Sequence, residues 1–346
     1  MPGRAAIIAA LTEYANKPAT SHDILAEPAD AFGRPPLATL MQFTQAIGSR
    51  AELDALLAEV APMIRAELFR GSEIALNCGT MVEWGGDPGV VFPHLLAELP
   101  RHLSLARRAR ERNASTPGTL FDEDPDGARA TAGLRYLLLA TMTVVCRKTN
   151  YRRALRGNAE IVAGVASLRD TSAEADFLAQ VLALSDGVEL LVLVPEEPKG
   201  FRVALEAVQT NAHLFTLLQA SLIGGGYLTG EAVDPEVVAI ATGETPHQRL
   251  VHDHARFHFS TWGGLPSDSI DTLLTTWIPV EGTPTDIPQL DGQRIVVLGP
   301  NVMGSQSWDS SFFANIHDAL KSRAEVVEVL PEADVNRWLE RIRAAR

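Results

Sequence analysis

The sequence predicts a mixed α/β protein, with a helical N-terminal half followed by a C-terminal mixed sheet with flanking helices. Three observations carry that prediction. Apolar residues in the first half recur at three- and four-residue spacing, the mark of helices that bury one face. From about residue 186, short β-branched runs take over, bounded by proline- and glycine-rich turns. The chain has 346 residues, 46% hydrophobic and 21% charged, an ordinary globular composition and enough length for about two domains. The expected division is a helical region over 1–185 and an α/β region over 186–346.

The first half reads as a series of helices. Residues 1–11 open an amphipathic helix and not a signal peptide, because the apolar run stops at Thr12-Glu13 and no small-residue cleavage site follows. Arg50–Glu67 sets Leu53, Leu56, Leu57, Val60 and Ile64 on one face, and Pro62 is expected to kink it. Val90–Arg112, Ala128–Arg156, Asn158–Leu168 and Ala173–Leu184 continue the series. Ser72–Trp84 follows neither period and stays open between strand and helix. The most apolar stretch, Leu134–Cys146, contains Arg135 and is shorter than the ~20 residues that span a bilayer, so it reads as a core helix. The expected location is the cytoplasm, with no membrane partner.

The second half opens with strands over Glu189–Val194 and Phe201–Val208. The loop Pro195–Gly200, dense in turn-forming residues, predicts that they form a hairpin. A helix over Ala212–Leu222 ends at Gly224-Gly225-Gly226, glycines that suit a helix C-terminus better than a dinucleotide fingerprint. Further strands are expected at Arg256–Trp262, Thr272–Ile278, Arg294–Leu298 and Glu325–Val329. A helix over Ser310–Leu320 between the last two would make them a parallel pair. A final helix spans Glu332–Ala344.

Thirty basic against 43 acidic residues give a net charge of −13, which argues against nucleic acid as a partner. Two cysteines, Cys78 and Cys146, exclude a disulfide framework. Charge is uneven along the chain. Residues 101–160 hold 12 basic and 6 acidic residues, a local +6 that leaves −19 elsewhere. Arg107, Arg108 and Arg110 cluster at one helix end and offer a face for an acidic protein partner or a small molecule.

Chemistry concentrates in the segment from His247 to Trp262, where four of the nine histidines fall within twelve positions. In an extended strand His252, His254 and His258 share one side with Arg256 and Ser260, while Val251, Ala255, Phe257 and Phe259 face the core. Imidazoles so arranged are the expected ligands of a transition metal such as zinc, iron or manganese. His252, His254 and Arg256 are the expected catalytic residues, Arg256 binding a carboxylate or phosphate of the substrate. The HxHxxxH spacing resembles the first motif of the cupin barrel, with His258 near that family's glutamate position. The family's second, histidine-bearing motif has no counterpart downstream, and no fold or role follows from the resemblance.

Three weaker patterns remain. Asp122-Glu-Asp124-Pro-Asp126-Gly127 opens like a calcium loop, but its twelfth position is Gly133, so the bidentate ligand is missing and an acidic helix N-terminus capped by Asp126 is the better account. Arg294–Ser307 suggests a strand running into a phosphate loop, with Gly299, Gly304, Ser305 and Ser307 as the residues that would hold an anion or cofactor. Ser305 stands where a nucleotide-binding loop has lysine. Cys78 would be a nucleophile only if His94 or His102 lay beside it, and a buried structural thiol is the simpler account. No GxSxG, HExxH or paired CxxC occurs. Three function classes follow: an enzyme with a histidine-lined site in the α/β region, an interaction or regulatory protein using the basic helical face, and a sensor of small anions or nucleotides.

Overall fold

A computed structural model of the chain describes residues 2–25, 33–112, 117–246, 249–301, 304, 306–313 and 316–346. They fall into two compact units, Met1–Leu182 and Ala183–Arg346. The fold is mixed α/β, helical in the first unit, with the sheet confined to the second.

The helical unit comprises α1 (Arg4–Asn16), α2 (Ser21–Leu25), α3 (Leu37–Gln45), α4 (Arg50–Val60), α5 (Leu68–Glu83), α6 (Pro88–Glu111), α7 (Pro117–Glu123), α8 (Pro125–Val145), α9 (Thr149–Arg156), α10 (Ala159–Leu168) and α11 (Ala173–Ala183). Ser49 caps α4 by accepting the Glu52 amide, and at Pro62 the helix tightens into a 3-10 turn over Ala61–Arg65. The ambiguous segment is helical. All of it but the C-cap Trp84 lies within α5, which is buried on nearly every side, so no polar face gives it a period. Close packing on α5 depends on small residues: a Cβ at Gly71 would stand 2.2 Å from the Ile64 carbonyl, and one at Gly133 2.7 Å from Ser72 Oγ.

The predicted helix over Ala128–Arg156 is two helices. Arg152 on α9 is 2% exposed and turns back to donate to the carbonyls of Val145 (3.1 Å) and Cys146 (3.4 Å), which end α8. A guanidinium that satisfies the last carbonyls of a helix ends it there. Asp124, two residues before the predicted cap, accepts the Gly127 amide at the start of α8. Deeper in the unit, fully buried Glu73 accepts from the Tyr14 hydroxyl at 2.6 Å and pairs with Arg34 at 3.3 Å and Arg70 at 3.5 Å. Arg70 also reaches Asp23 at 2.7 Å. Hydrogen bonds from Thr20 and Arg70 outweigh desolvation at Asp23 and hold its carboxyl at about 2.

The second unit comprises β1 (Val188–Val194), β2 (Lys199–Glu206), α12 (Asn211–Gly224), α13 (Pro235–Ala241), β3 (His252–His254), β4 (Phe257–Thr261), α14 (Ile270–Thr276), β5 (Gln289–Leu290), β6 (Gln293–Pro300), β7 (Ser307–Asp309), β8 (Arg323–Val329) and α15 (Glu332–Ala345). β1 and β2 form the predicted hairpin. The main sheet runs β4-β6-β1-β2-β8, with β5 also on β6, and β3 pairs β7 in a separate ribbon. One face of the sheet packs Val192, Val203, Val296, Leu298 and Phe259 against α12 and α13. The other packs Leu191, Leu193, Ile295 and Val297 against Val335, Leu339 and Ile342 of α15.

Three expectations for this half are corrected. Thr272–Ile278 is not a strand: Ser269 accepts the Thr272 amide and starts α14, so a local cap prevails over β-branched composition. β6 and β8 are not a parallel pair. β6 lies parallel to β1, and β8 lies antiparallel on β2 at the far edge. The predicted helix over Ser310–Leu320 contains only a 3-10 turn, Ser310–Phe312, among its described residues. There Asp309 accepts the Ser311 amide, and the Phe312 carbonyl accepts from Thr210 Oγ1 at 2.6 Å.

His213 on α12 is fully buried. Its Nε2–H donates to the Ala241 carbonyl at 2.7 Å, and Nδ1 accepts the Gln209 amide at 3.2 Å. Burial pushes its pKa down to about 4, because a second ring proton would face an N–H donor with no water to receive it. The unfolded chain therefore binds a proton near pH 6.5 that the folded chain refuses, and stability present above that pH is lost as pH falls toward 4. We expect a loss of about 2 kcal/mol between pH 7 and pH 5 in urea unfolding of the wild type. His213→Gln lacks that slope; an equal slope in the variant would contradict the assignment.

Candidate functional site

The histidine segment is not one strand. It breaks at Ala255-Arg256, and the break is built by charge. Asp253 and Arg256, three apart, would lie on opposite faces of a straight strand and could not meet. Here Arg256 Nη1 donates to Asp253 Oδ1 at 2.5 Å and to the His254 carbonyl at 2.8 Å, which closes the chain into a turn. Asp253 is 3% exposed, and its other oxygen accepts from Thr216 Oγ1 at 2.7 Å. Trp308 Nε1 donates to that same Thr216 oxygen at 2.9 Å. Gln219 holds the turn itself, accepting the Arg256 amide at 2.7 Å and donating to the His254 carbonyl at 3.2 Å.

The predicted site residues consequently separate. His252 and His254 lie in β3, paired across the ribbon with Asp309 and Ser307. His252 is exposed, and half-exposed His254 has Nε2 3.5 Å from the Glu231 carboxylate. His258 lies in β4 of the main sheet, 4% exposed and opposite Gly299 of β6. Among the described residues no group of three or more His, Cys, Asp or Glu side chains is placed to hold a metal ion. The expectation of a metal held by His252, His254 and His258 is thereby corrected: the turn at Arg256 sends their strands to different sheets. Four bonds also occupy the Arg256 guanidinium, to Asp253 and to the carbonyls of His254, Glu231 and Ala232, so its donors are committed to the fold.

The phosphate-loop expectation fares similarly. Gly299 sits inside β6, where a Cβ would approach Pro266 to 3.0 Å. Gly304 adopts a positive φ of 78° and leads into β7, which contains Ser307. Strand and turn therefore lead to another strand, and no α-helix N-terminus follows among the described residues to present free amides to an anion. Ser305 and His247 lie outside the described residues.

Cys78 is fully buried in α5, and desolvation pushes its thiol up to about 12, which removes it as a nucleophile at neutral pH. One constellation in the helical unit has no trace in the sequence. Ser72 Oγ lies 3.1 Å from His102 Nε2, and Glu98 Oε1 lies 3.6 Å from Nδ1. Their spacing is that of a hydrolytic triad, yet Ser72 Oγ (2.7 Å) and His102 Nε2 (2.9 Å) both turn to the Leu68 carbonyl. With Nε2–H so engaged, His102 has no lone pair there to take the serine proton, and the packed Gly133 backbone closes off Ser72. Only the fold connects residues 72, 98 and 102, which lie on α5 and α6.

Arg107, Arg108 and Arg110 are all exposed at the C-terminal end of α6. Arg110 donates to the Ser167 carbonyl at 2.6 Å, and Arg107 stands 3.9 Å from Glu111. Between α6 and α10 a cavity of about 190 Å³ is lined by Pro100, Leu103, Ser104, Arg107, Glu160 and Gly164. No helix of the described residues is long and apolar enough to cross a membrane. Comparison with protein-family models, curated proteins and solved structures finds no match.

With His258 in a different sheet from His252 and His254, zinc, iron(II) or manganese(II) should leave the melting temperature of the metal-free protein unchanged. A rise in melting temperature that His252→Ala/His254→Ala abolishes would restore the metal site.

Proposed function

We propose that the protein acts by binding an acidic segment of a partner protein on the basic end of α6. The observation that carries this reading is the joint exposure of Arg107, Arg108 and Arg110 beside the groove between α6 and α10. Arg108 has no ion-pair partner among the described residues, and the long, half-exposed Arg107–Glu111 contact is worth little in water. Both guanidiniums are therefore free to meet a carboxylate. Ser104 and Arg107 line the groove beside Pro100, Leu103 and Gly164, and Glu160, which also lines it, would repel an acid placed at that end.

Charge favours a protein over a nucleic acid. The local +6 of residues 101–160 stands in a chain of net −13. A long polyanion would extend beyond the patch and be repelled by the rest, whereas a short acidic segment meets mainly the patch within a Debye length.

A fluorescein-labelled dodecamer of glutamate provides the test. It should bind the wild type, weaken as ionic strength rises, and lose at least about tenfold in affinity to Arg107→Glu/Arg108→Glu/Arg110→Glu, with helical content preserved. Equal binding by the wild type and the folded triple variant, or tighter binding of a dodecamer of thymidylate, would reject the proposal.

A further inference from the structure

In the helical unit a cavity of about 550 Å³ opens between the C-terminal end of α3, the start of α4 and the turn that follows α5. Ile47, Leu53 and Trp84 form its apolar wall, and Gln45, Ser49 and Arg50 its polar rim. Trp84 is 44% exposed, the most exposed of the five tryptophans. Apolar surface left bare beside polar groups, in a hollow of this size, is the ordinary mark of a small-molecule site. The backbone holds the ring in place. The Trp84 amide donates to the Thr80 carbonyl, Gly85 turns the chain at a φ of 105°, and the Asp87 amide ties that turn to Asp54 of α4 at 2.6 Å.

Charge defines the other end of the occupant. Among the described residues, Arg50 alone of the charged side chains lines the cavity. It is the first residue of α4, where the positive end of the helix dipole disfavours a cation. Its ion pair to Asp54 is long, at 3.7 Å, and with Arg50 70% exposed it is worth little in water. Asp54 is moreover engaged by the Asp87 amide. A carboxylate at Arg50 would meet both the guanidinium fork, which fits its two oxygens, and a favourable helix end. One guanidinium with no second cation beside it balances a single negative charge, which suits a carboxylate better than a phosphate dianion.

We propose that this cavity binds a small aromatic carboxylate, its ring against Trp84 and its carboxylate on Arg50. Such a ligand covers the bare indole and neutralises a cation that the helix dipole opposes. Gly48, where a Cβ would meet nothing within 4 Å, leaves the mouth open. The site shares no residue with the groove between α6 and α10, so either can fail without the other.

The probes are 3-phenylpropanoate and its neutral amide, 3-phenylpropanamide, titrated into ¹⁵N-tryptophan-labelled protein. The Trp84 indole resonance is identified as the one that Trp84→Phe removes. The acid should shift that resonance saturably in the millimolar range, and the amide should bind about fivefold more weakly. Arg50→Ala, a change at an exposed side chain, lowers the acid to the level of the amide and leaves the amide unchanged. Trp84→Ala, followed through the ligand's own resonances, weakens both about tenfold. A shift that stays linear in ligand concentration, equal affinity of the wild type for acid and amide, or an unchanged affinity for the acid in the folded Arg50→Ala protein would each overturn the proposal.

Discussion

The carboxylate of Asp253 organises the second unit. A buried ion needs an opposite charge and hydrogen bonds on every free lone pair, or the folded state bears a large desolvation cost. Asp253 finds Arg256 three residues on and Thr216 on α12, and both contacts require the chain to turn between them. From that turn follow the departure of β3 to the β7 ribbon, the entry of β4 into the main sheet, and the burial of Trp308 against Thr216. The locations of His252, His254 and His258 are a consequence of this pair. Arg256, which in a straight strand would present its guanidinium to a ligand, becomes the tie that fixes the turn.

The helical unit uses the same device in another form. Glu73 on α5, with no exposed surface, gathers Tyr14, Arg34 and Arg70 from separate segments, and Arg70 adds Asp23. Burial raises the pKa of Glu73, against the pull of Tyr14 and the two arginines. In both units a helix enclosed by its neighbours, α5 or α12, supplies the polar side chains that draw irregular segments inward. The arginines at the end of α6 differ because they have no buried acid to meet. Their charge remains at the surface, where it can act on another molecule.

Elements governed by local rules were legible in the sequence. The β1–β2 hairpin follows from alternating apolar runs and a loop of prolines and glycine, and the tightening of α4 follows from Pro62. What escaped is what tertiary partners decide. The segment within α5 carries no period because every side of it is covered. Arg152 ends α8 from the next helix, and α12 reaches across more than thirty residues to hold the turn at Arg256. The spacing of Asp253 and Arg256 was the available clue, since opposite charges three apart suit a turn and are separated by a strand. Ser260 was correctly grouped with His258 by alternation along β4.

A double-mutant cycle on Asp253 and Arg256 tests the central claim most directly. Asp253→Ala, Arg256→Ala and the double variant are compared with the wild type by urea unfolding. If the pair makes the turn, each single change should cost about 3–5 kcal/mol by leaving its partner buried and uncompensated. The double should cost about 2–3 kcal/mol less than the sum of the two. Additivity within about 0.5 kcal/mol would show that the two residues act separately, and the break in the histidine strand would then need another cause.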